Sequence, residues 1–178
     1  MYWKPKDVKV LLLAESHVFT KQSEYSCLFT SHNNTVSNYT RFIYCLGYGE
    51  KDFFKENSSI PKRGTPQFWT LFNKTRHSNF AVLKKDERKF NQRIKNKFDL
   101  LQNMKNKCIW LIDTSIVGIY NQGKKPINSV YKRILIDSYI TNCEPIILGE
   151  KPNLIVIIGK GVNNAIGDLA KKHNISIE

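Results

Sequence analysis

The fold of this chain is decided by the stretch Asp7-Val8-Lys9-Val10-Leu11-Leu12-Leu13-Ala14, a near-continuous apolar run that follows a proline. Runs of this length and composition are typical of strands covered on both faces of a parallel sheet. Two similar runs occupy residues 108–112, ending at Asp113, and residues 153–158, ending at Gly159. Polar residues or glycine follow all three runs. We expect these strand ends to meet at one edge of the sheet, where open α/β folds bind their ligands.

Apolar residues recur at helical spacing between the predicted strands. The predicted helices are residues 36–46, 65–72, about 84–105, about 129–143 with a break at Pro145, and 162–172. A fourth strand begins within residues 174–178. This order predicts an α/β fold, a three-layer α/β/α sandwich with a mainly parallel four-stranded central sheet. The 178 residues are expected to form a single domain, 1–178.

Two of these helices are expected to pack through apolar stripes. The stripe of the helix at 84–105 comprises Phe90, Ile94, Phe98, Leu101 and Met104. In the helix at 129–143, the residues expected to face inward are Val130, Ile134 and Leu135. Lysine and arginine crowd the other faces of the first of these helices, so its outer surface is expected to be basic.

The chain carries 28 Lys and Arg residues against 15 Asp and Glu residues, a net charge of +13. Such an excess favours a polyanionic partner, and we expect DNA, duplex or single-stranded. AT-rich coding sequence, which also enriches Asn and Ile, is an alternative source of part of the excess. No apolar run approaches the roughly 18 residues that a membrane helix needs, and the N-terminus lacks the pattern of a secretory signal. We therefore expect no membrane contact and a cytoplasmic location, or a nuclear one in a eukaryote. We also expect the protein to be a monomer.

The four cysteines are Cys27, Cys45, Cys108 and Cys143. None forms the close pairs that zinc or iron–sulfur ligation favours. They are expected to be reduced and mostly buried thiols, and neither a metal cluster nor a cofactor is predicted.

Four segments carry a resemblance to a known family. Residues 10–18, Val-Leu-Leu-Leu-Ala-Glu-Ser-His-Val, resemble the first motif of the uracil-DNA glycosylase superfamily, in which a strand ends in a turn beside the excised base. Residues 65–69 resemble its aromatic helix start, 109–113 its central strand ending in a base-reading side chain, and 151–159 the strand and glycine after its long helix. The resemblance implies a DNA-binding, base-flipping hydrolase of DNA repair, with its pocket around residues 15–17.

The chain departs from the family's pattern at two places. The family's turn begins with glycine and ends with a Pro-Gly pair, whereas this chain has Ala14, His17 and Val18. A turn without glycine is less permissive of close backbone approach to a ligand. The family's second motif, a His-Pro-Ser loop after the last strand, is not found before the sequence ends at Glu178.

The resemblance assigns catalytic roles to two residues. A base glycosylase supports a cationic sugar with a carboxylate and an activated water, and Glu15 would be that carboxylate. His17 would stabilise the departing base anion or orient the water. The plainer alternatives are that Glu15 caps a turn or pairs with a lysine, and that His17 makes a structural hydrogen bond.

Four further residues are assigned to the base. Ser16 belongs to the pocket, and Phe19 or Tyr25 would stack on the base. Asp113 would read its edge; a carboxylate only accepts hydrogen bonds, which favours cytosine, adenine or guanine over uracil. Glu15 and Asp113 are therefore expected to converge on one cavity. Alternatively, the aromatic residues anchor their loop and Asp113 caps a turn.

Basic residues in the loops at the strand ends are expected to contact phosphates. They are Lys62, Arg63, Lys124, Lys125 and Lys160, and the alternative for each is a solvated lysine or arginine without a partner. Two other functions remain open: a catalytically inactive relative that binds nucleic acid, or an α/β enzyme that acts on a nucleotide or a small phosphorylated substrate.

Overall fold

The computed structural model describes residues 2–16, 44, 71–72, 90–120 and 124–178. By its internal contacts the chain divides into two compact units. The first unit comprises residues 1–19 and 105–178, and the second comprises residues 20–104.

The first unit is built on a four-stranded sheet. Its strands are β1 (Val10–Ser16), β2 (Ile109–Ser115), β3 (Leu154–Ile157) and β4 (Ser176–Ile177). They lie in the order β2-β1-β3-β4 and every pair is parallel. The α/β fold with a parallel four-stranded sheet is thus confirmed.

The central strand β1 is covered on both faces. Residues 11–14 are each at most 6% exposed, although successive side chains point to opposite sides of the sheet. The next strand in sequence, β2, lies on one side of β1, and β3 lies on the other. The strand order therefore reverses between β1 and β3, and a crevice is expected beyond their carboxyl ends.

Three helices of the first unit are α2 (Asn128–Ser138), α3 (Glu144–Glu150) and α4 (Lys160–Lys171). The connections from β2 to β3 and from β3 to β4 advance in the same direction across the sheet. Right-handed crossovers then place α2 and α4 on the same face, where the two helices contact each other.

A π-helical turn at Tyr139–Cys143 joins α2 to α3. Buried residues recur at every fourth position from 131 to 147, namely Tyr131, Leu135, Tyr139, Cys143 and Ile147. In an α-helix a four-residue repeat drifts by about 40° per step, because 3.6 residues complete a turn. The π turn has more residues per turn than an α-helix, so four residues rotate less there and the drift is offset. The break predicted at Pro145 is wrong, because the chain stays helical from residue 128 to residue 150. The irregularity is the π turn just before Pro145, and Pro145 itself lies in the first turn of α3.

The same repeat corrects the predicted inward face of α2. Leu135 is buried as expected, but Val130 is 43% exposed because Tyr131, one position further, occupies the inward face.

Helix α1 (Phe90–Asn106) belongs to the second unit except for its last two residues. Leu101 and Met104 are buried as predicted, whereas Phe98 is 37% exposed. Asn96, Leu100 and Met104 are buried at four-residue spacing, and Phe98 lies on the far side of the helix from them. The side chains of Phe90 and Ile94 lie outside the described residues. Of the helix predicted at 65–72, Leu71 and Phe72 are described, and both are helical.

Cys108 and Cys143 are free thiols, as expected, whereas Cys27 and Cys45 lie outside the described residues. Within the described part of the chain, no helix has the length and apolar character needed to cross a membrane.

Candidate functional site

The candidate site lies beyond the carboxyl ends of β1 and β3, where the strand order reverses. Glu15 is the next-to-last residue of β1, and Gly159 leads from β3 into α4. Parallel strands bring these ends to one edge of the sheet. The position of Glu15 is therefore the one at which ligands bind in open α/β sheets.

Two tyrosines hold the Glu15 carboxylate. Tyr120 and Tyr131 both donate hydrogen bonds from their hydroxyl groups to Glu15 Oε1, and the Tyr120 bond measures 3.2 Å. Tyr120 lies in the loop after β2, and Tyr131 lies in the first turn of α2. The loop after β2 and the start of α2 thus both contact one carboxylate oxygen at the end of β1. Within the described residues, Oε2 accepts no hydrogen bond from a side chain.

Tyr131 occupies a tightly fitted position. It is buried, and a Cβ added to Gly161 in the first turn of α4 would lie 2.8 Å from Tyr131 Oη. The glycine therefore lets the phenol sit against α4. Lys125 Nζ lies 3.7 Å from the centroid of the Tyr131 ring, a cation–π distance.

Both phenols stay protonated at neutral pH. Burial, followed by the hydrogen bond and the negative charge of Glu15, raises the pKa of Tyr131 well above its usual value. Burial and then the charge of Glu15 raise the pKa of Tyr120 in the same direction. Each tyrosine is thus a hydrogen-bond donor to the carboxylate, and the pair fixes its orientation.

The ends of β1 and β2 are tied together at this edge. Thr114 Oγ1 donates a 2.7 Å hydrogen bond to Ala14 O, and Ser16 stands in register with Ser115. Ser115 is buried, and its hydroxyl oxygen accepts a hydrogen bond from the N–H of Val117. The half-buried Ser16, predicted to belong to the pocket, lies at the same strand end as Glu15, but its side chain is on the other face of the sheet because successive side chains alternate.

Asp113 does not share a cavity with Glu15, which corrects the expected convergence. In the register of β1 and β2, Asp113 pairs with Ala14, the residue before Glu15. Successive side chains of a strand point to opposite faces, so Glu15 and Asp113 lie on opposite sides of the sheet. The partners of Glu15 are instead the two tyrosines.

Sequence reasoning missed both tyrosines. The inward face of α2 was inferred from its aliphatic residues, whereas the buried four-residue repeat starts at Tyr131. Recognising that repeat would have identified Tyr131. Tyr120 lies in an irregular loop, and no periodicity in the sequence points to it.

Three of the predicted basic residues lie at this edge of the sheet. Lys124 and Lys125 are exposed in the loop before α2, and Lys160 is exposed as the first residue of α4. The other predicted site residues, His17, Phe19, Tyr25, Lys62 and Arg63, lie outside the described residues, and their roles stay predictions.

Comparisons of the chain with protein-family models, with curated proteins and with solved structures gave no match. Across the described segments, no three His, Cys, Asp or Glu residues are grouped as a metal site. The functional argument therefore starts from Glu15 and its two phenols.

Proposed function

We propose that the protein binds DNA and accommodates a flipped base beside Glu15, as a glycosylase-like enzyme that hydrolyses the bond between base and deoxyribose. The observation that carries this proposal is the position of Glu15. Its carboxylate lies at the strand end where α/β folds bind ligands, and two phenols hold it there. The resemblance of residues 10–18 to a base-excision motif supports the same assignment.

The held carboxylate suits the proposed reaction. When the bond between C1′ and the base nitrogen breaks, its electron pair leaves with the base and positive charge develops on the sugar. Water then adds to C1′ and gives up a proton. A carboxylate fixed before the reaction stabilises that charge without having to reorganise. Because both phenols bond to Oε1, we assign this role to the second oxygen of Glu15, Oε2.

The charges around the crevice suit a DNA strand. Lys124, Lys125 and Lys160 lie in loops and a helix start at the same edge, and the whole chain carries +13. Contacts to phosphates position a protein on DNA without selecting a sequence. These lysines would hold the strand on either side of the flipped nucleotide.

The test is strand scission at abasic sites. Single- and double-stranded oligonucleotides carrying uracil, hypoxanthine, xanthine or a mismatch are incubated with the protein and then treated with alkali. We expect scission of at least one substrate, and a loss of about 100-fold or more in Glu15→Gln with DNA affinity retained. Asp113→Asn is the matched control, because its side chain lies on the other face of the sheet, and it should keep the activity.

Two outcomes would contradict the proposal in different ways. DNA binding without scission of any substrate would remove the enzymatic part and leave a nucleic-acid-binding relative. Absence of binding to either form of DNA would remove the proposal as a whole.

A further inference from the structure

A half-open pocket of about 410 Å³ lies in the first unit at the edge of the sheet opposite Glu15. Lys151, in the pocket wall, precedes β3, and three further wall residues, Lys172, His173 and Ile175, precede β4. Parallel strands begin at one edge of a sheet and end at the other. The pocket is therefore separate from the proposed DNA site.

Two lysines give the pocket a positive rim. Lys151 and Lys172 are both exposed, and within the described residues neither forms an ion pair. Lys151 caps the end of α3 in the left-handed conformation, with φ of 49° and ψ of 57°. Glycine is the usual residue in this conformation, and backbone strain of this kind is often found at ligand-binding positions.

A buried histidine forms part of the wall. The side chain of His173 is 8% exposed, and its Nε2 has no hydrogen-bond partner in the described part of the chain. Glu144 Oε1 lies 3.5 Å from His173 Nε2 without forming a hydrogen bond. The hydroxyl of Tyr139 is also buried and has no hydrogen-bond partner among the residues that the structure describes; the ring centroids of Tyr139 and His173 lie 6.3 Å apart. Buried polar atoms without a hydrogen-bond partner are uncommon, and two neighbouring ones indicate a place where a polar ligand or a water molecule can bind.

The remaining wall is apolar. It is formed by Ile147, Leu148, Pro152 and Ile175, and Leu148 stays largely exposed to solvent. A ligand that covers this surface needs an apolar part, whereas the lysines need an anionic part. Both requirements are met by one short amphipathic molecule.

We propose that this pocket binds a small amphipathic anion, with its carboxylate or phosphate head between Lys151 and Lys172 and its short aliphatic tail on Ile147, Leu148 and Ile175. The proposal is independent of the DNA site, because the two lie at opposite edges of the sheet.

The test uses isothermal titration calorimetry with octanoate and octyl phosphate as probes. We expect saturable one-to-one binding of at least one probe, which also identifies the preferred head group. Acetate, inorganic phosphate and octanol, which each lack one half of the proposed ligand, should bind at least about 10-fold more weakly. An excess of single-stranded DNA should not displace the probe.

Matched variants distinguish the effect of the two pocket lysines from that of the protein's overall positive charge. The double variant Lys151→Gln with Lys172→Gln should lower the affinity for the probe by about 10-fold or more, because it removes the two charges proposed to bind the anionic head. Lys95→Gln with Lys132→Gln removes the same charge from exposed sites elsewhere and should leave the affinity unchanged. Absence of saturable binding by both probes, or equal weakening in the two double variants, would overturn the proposal.

Discussion

Gly161 and Tyr131 meet so closely that a single added carbon would not fit between them. A Cβ on Gly161 would lie 2.8 Å from Tyr131 Oη, the same atom that donates a hydrogen bond to Glu15. The start of α4, the first turn of α2 and the end of β1 are therefore linked through one phenol. This linkage makes the position of the Glu15 carboxylate sensitive to a residue that does not touch it.

Gly161→Ala should displace the Tyr131 phenol and disturb Glu15. Alanine is preferred over glycine in a helix by up to about 1 kcal/mol, so the clash and the propensity act in opposite directions on stability. We expect little net change in the free energy of unfolding, but a clear loss of the proposed scission activity. Gly149→Ala in α3 is the control, because nothing lies within 4 Å of its added Cβ. It should stabilise the protein and leave activity intact; a fully active Gly161→Ala protein would contradict the linkage.

Tyr131→Phe and Tyr139→Phe remove the same atom from two buried tyrosines with opposite expected effects. The Tyr131 hydroxyl bonds to a carboxylate, and its loss should cost about 1 to 2 kcal/mol. The Tyr139 hydroxyl has no partner within the described residues, so its removal should be neutral or stabilising by up to about 1 kcal/mol. Urea unfolding at neutral pH measures both changes. Equal destabilisation of the two variants would show that the Glu15 bond contributes nothing.

The sequence predicted the sheet because its strands are unusually apolar. Residues 11–14 are buried on both faces, and the apolar run that produces this burial is visible without tertiary information. Whether Glu15 and Asp113 lie on the same face of the sheet could not be predicted, because it depends on the register of the two strands. A shift of one residue between β1 and β2 moves a side chain to the other face, and the structure pairs Asp113 with Ala14.

The two tyrosines of the site show a second limit of prediction from the sequence. Helical periodicity located α2 to within one residue of its start, but not which face is inward. That face follows a four-residue repeat that an uninterrupted α-helix would not keep aligned, and the π turn at 139–143 maintains it. An irregular turn of this kind leaves no clear signal in the sequence.

Cys143 should make the protein less stable at alkaline pH. Burial, and then the negative charge of Asp113, raises the pKa of its thiol from 9.0 to about 12. The folded state thus keeps a proton that the unfolded state loses. Stability is fully present below pH 9 and falls as the pH rises towards 12, by up to about 1.4 kcal/mol per pH unit.

Cys143→Ala should remove this part of the pH dependence. Urea unfolding is measured from about pH 8 to 10. In this range the titration of the thiol is distinguished from that of the buried tyrosines, whose pKa in the unfolded state is near 10. The variant should lose roughly 1 kcal/mol at neutral pH from the smaller side chain, yet its stability should fall less steeply above pH 9. Identical slopes for the two proteins would show that the thiol does not titrate on unfolding.

The lysines beside the site should determine how strongly salt weakens DNA binding. Each lysine that neutralises a duplex phosphate adds about 0.9 to the slope of log affinity against log salt concentration. Lys124→Gln with Lys125→Gln should therefore reduce the slope by about 1.8, measured by fluorescence anisotropy between about 50 and 200 mM NaCl. Lys9→Gln with Lys132→Gln, which removes equal charge from exposed positions elsewhere, should change it less. Because phosphate contacts carry no sequence information, the loss should be similar for all oligonucleotides. An unchanged slope in the first variant would place the DNA strand away from this edge of the sheet.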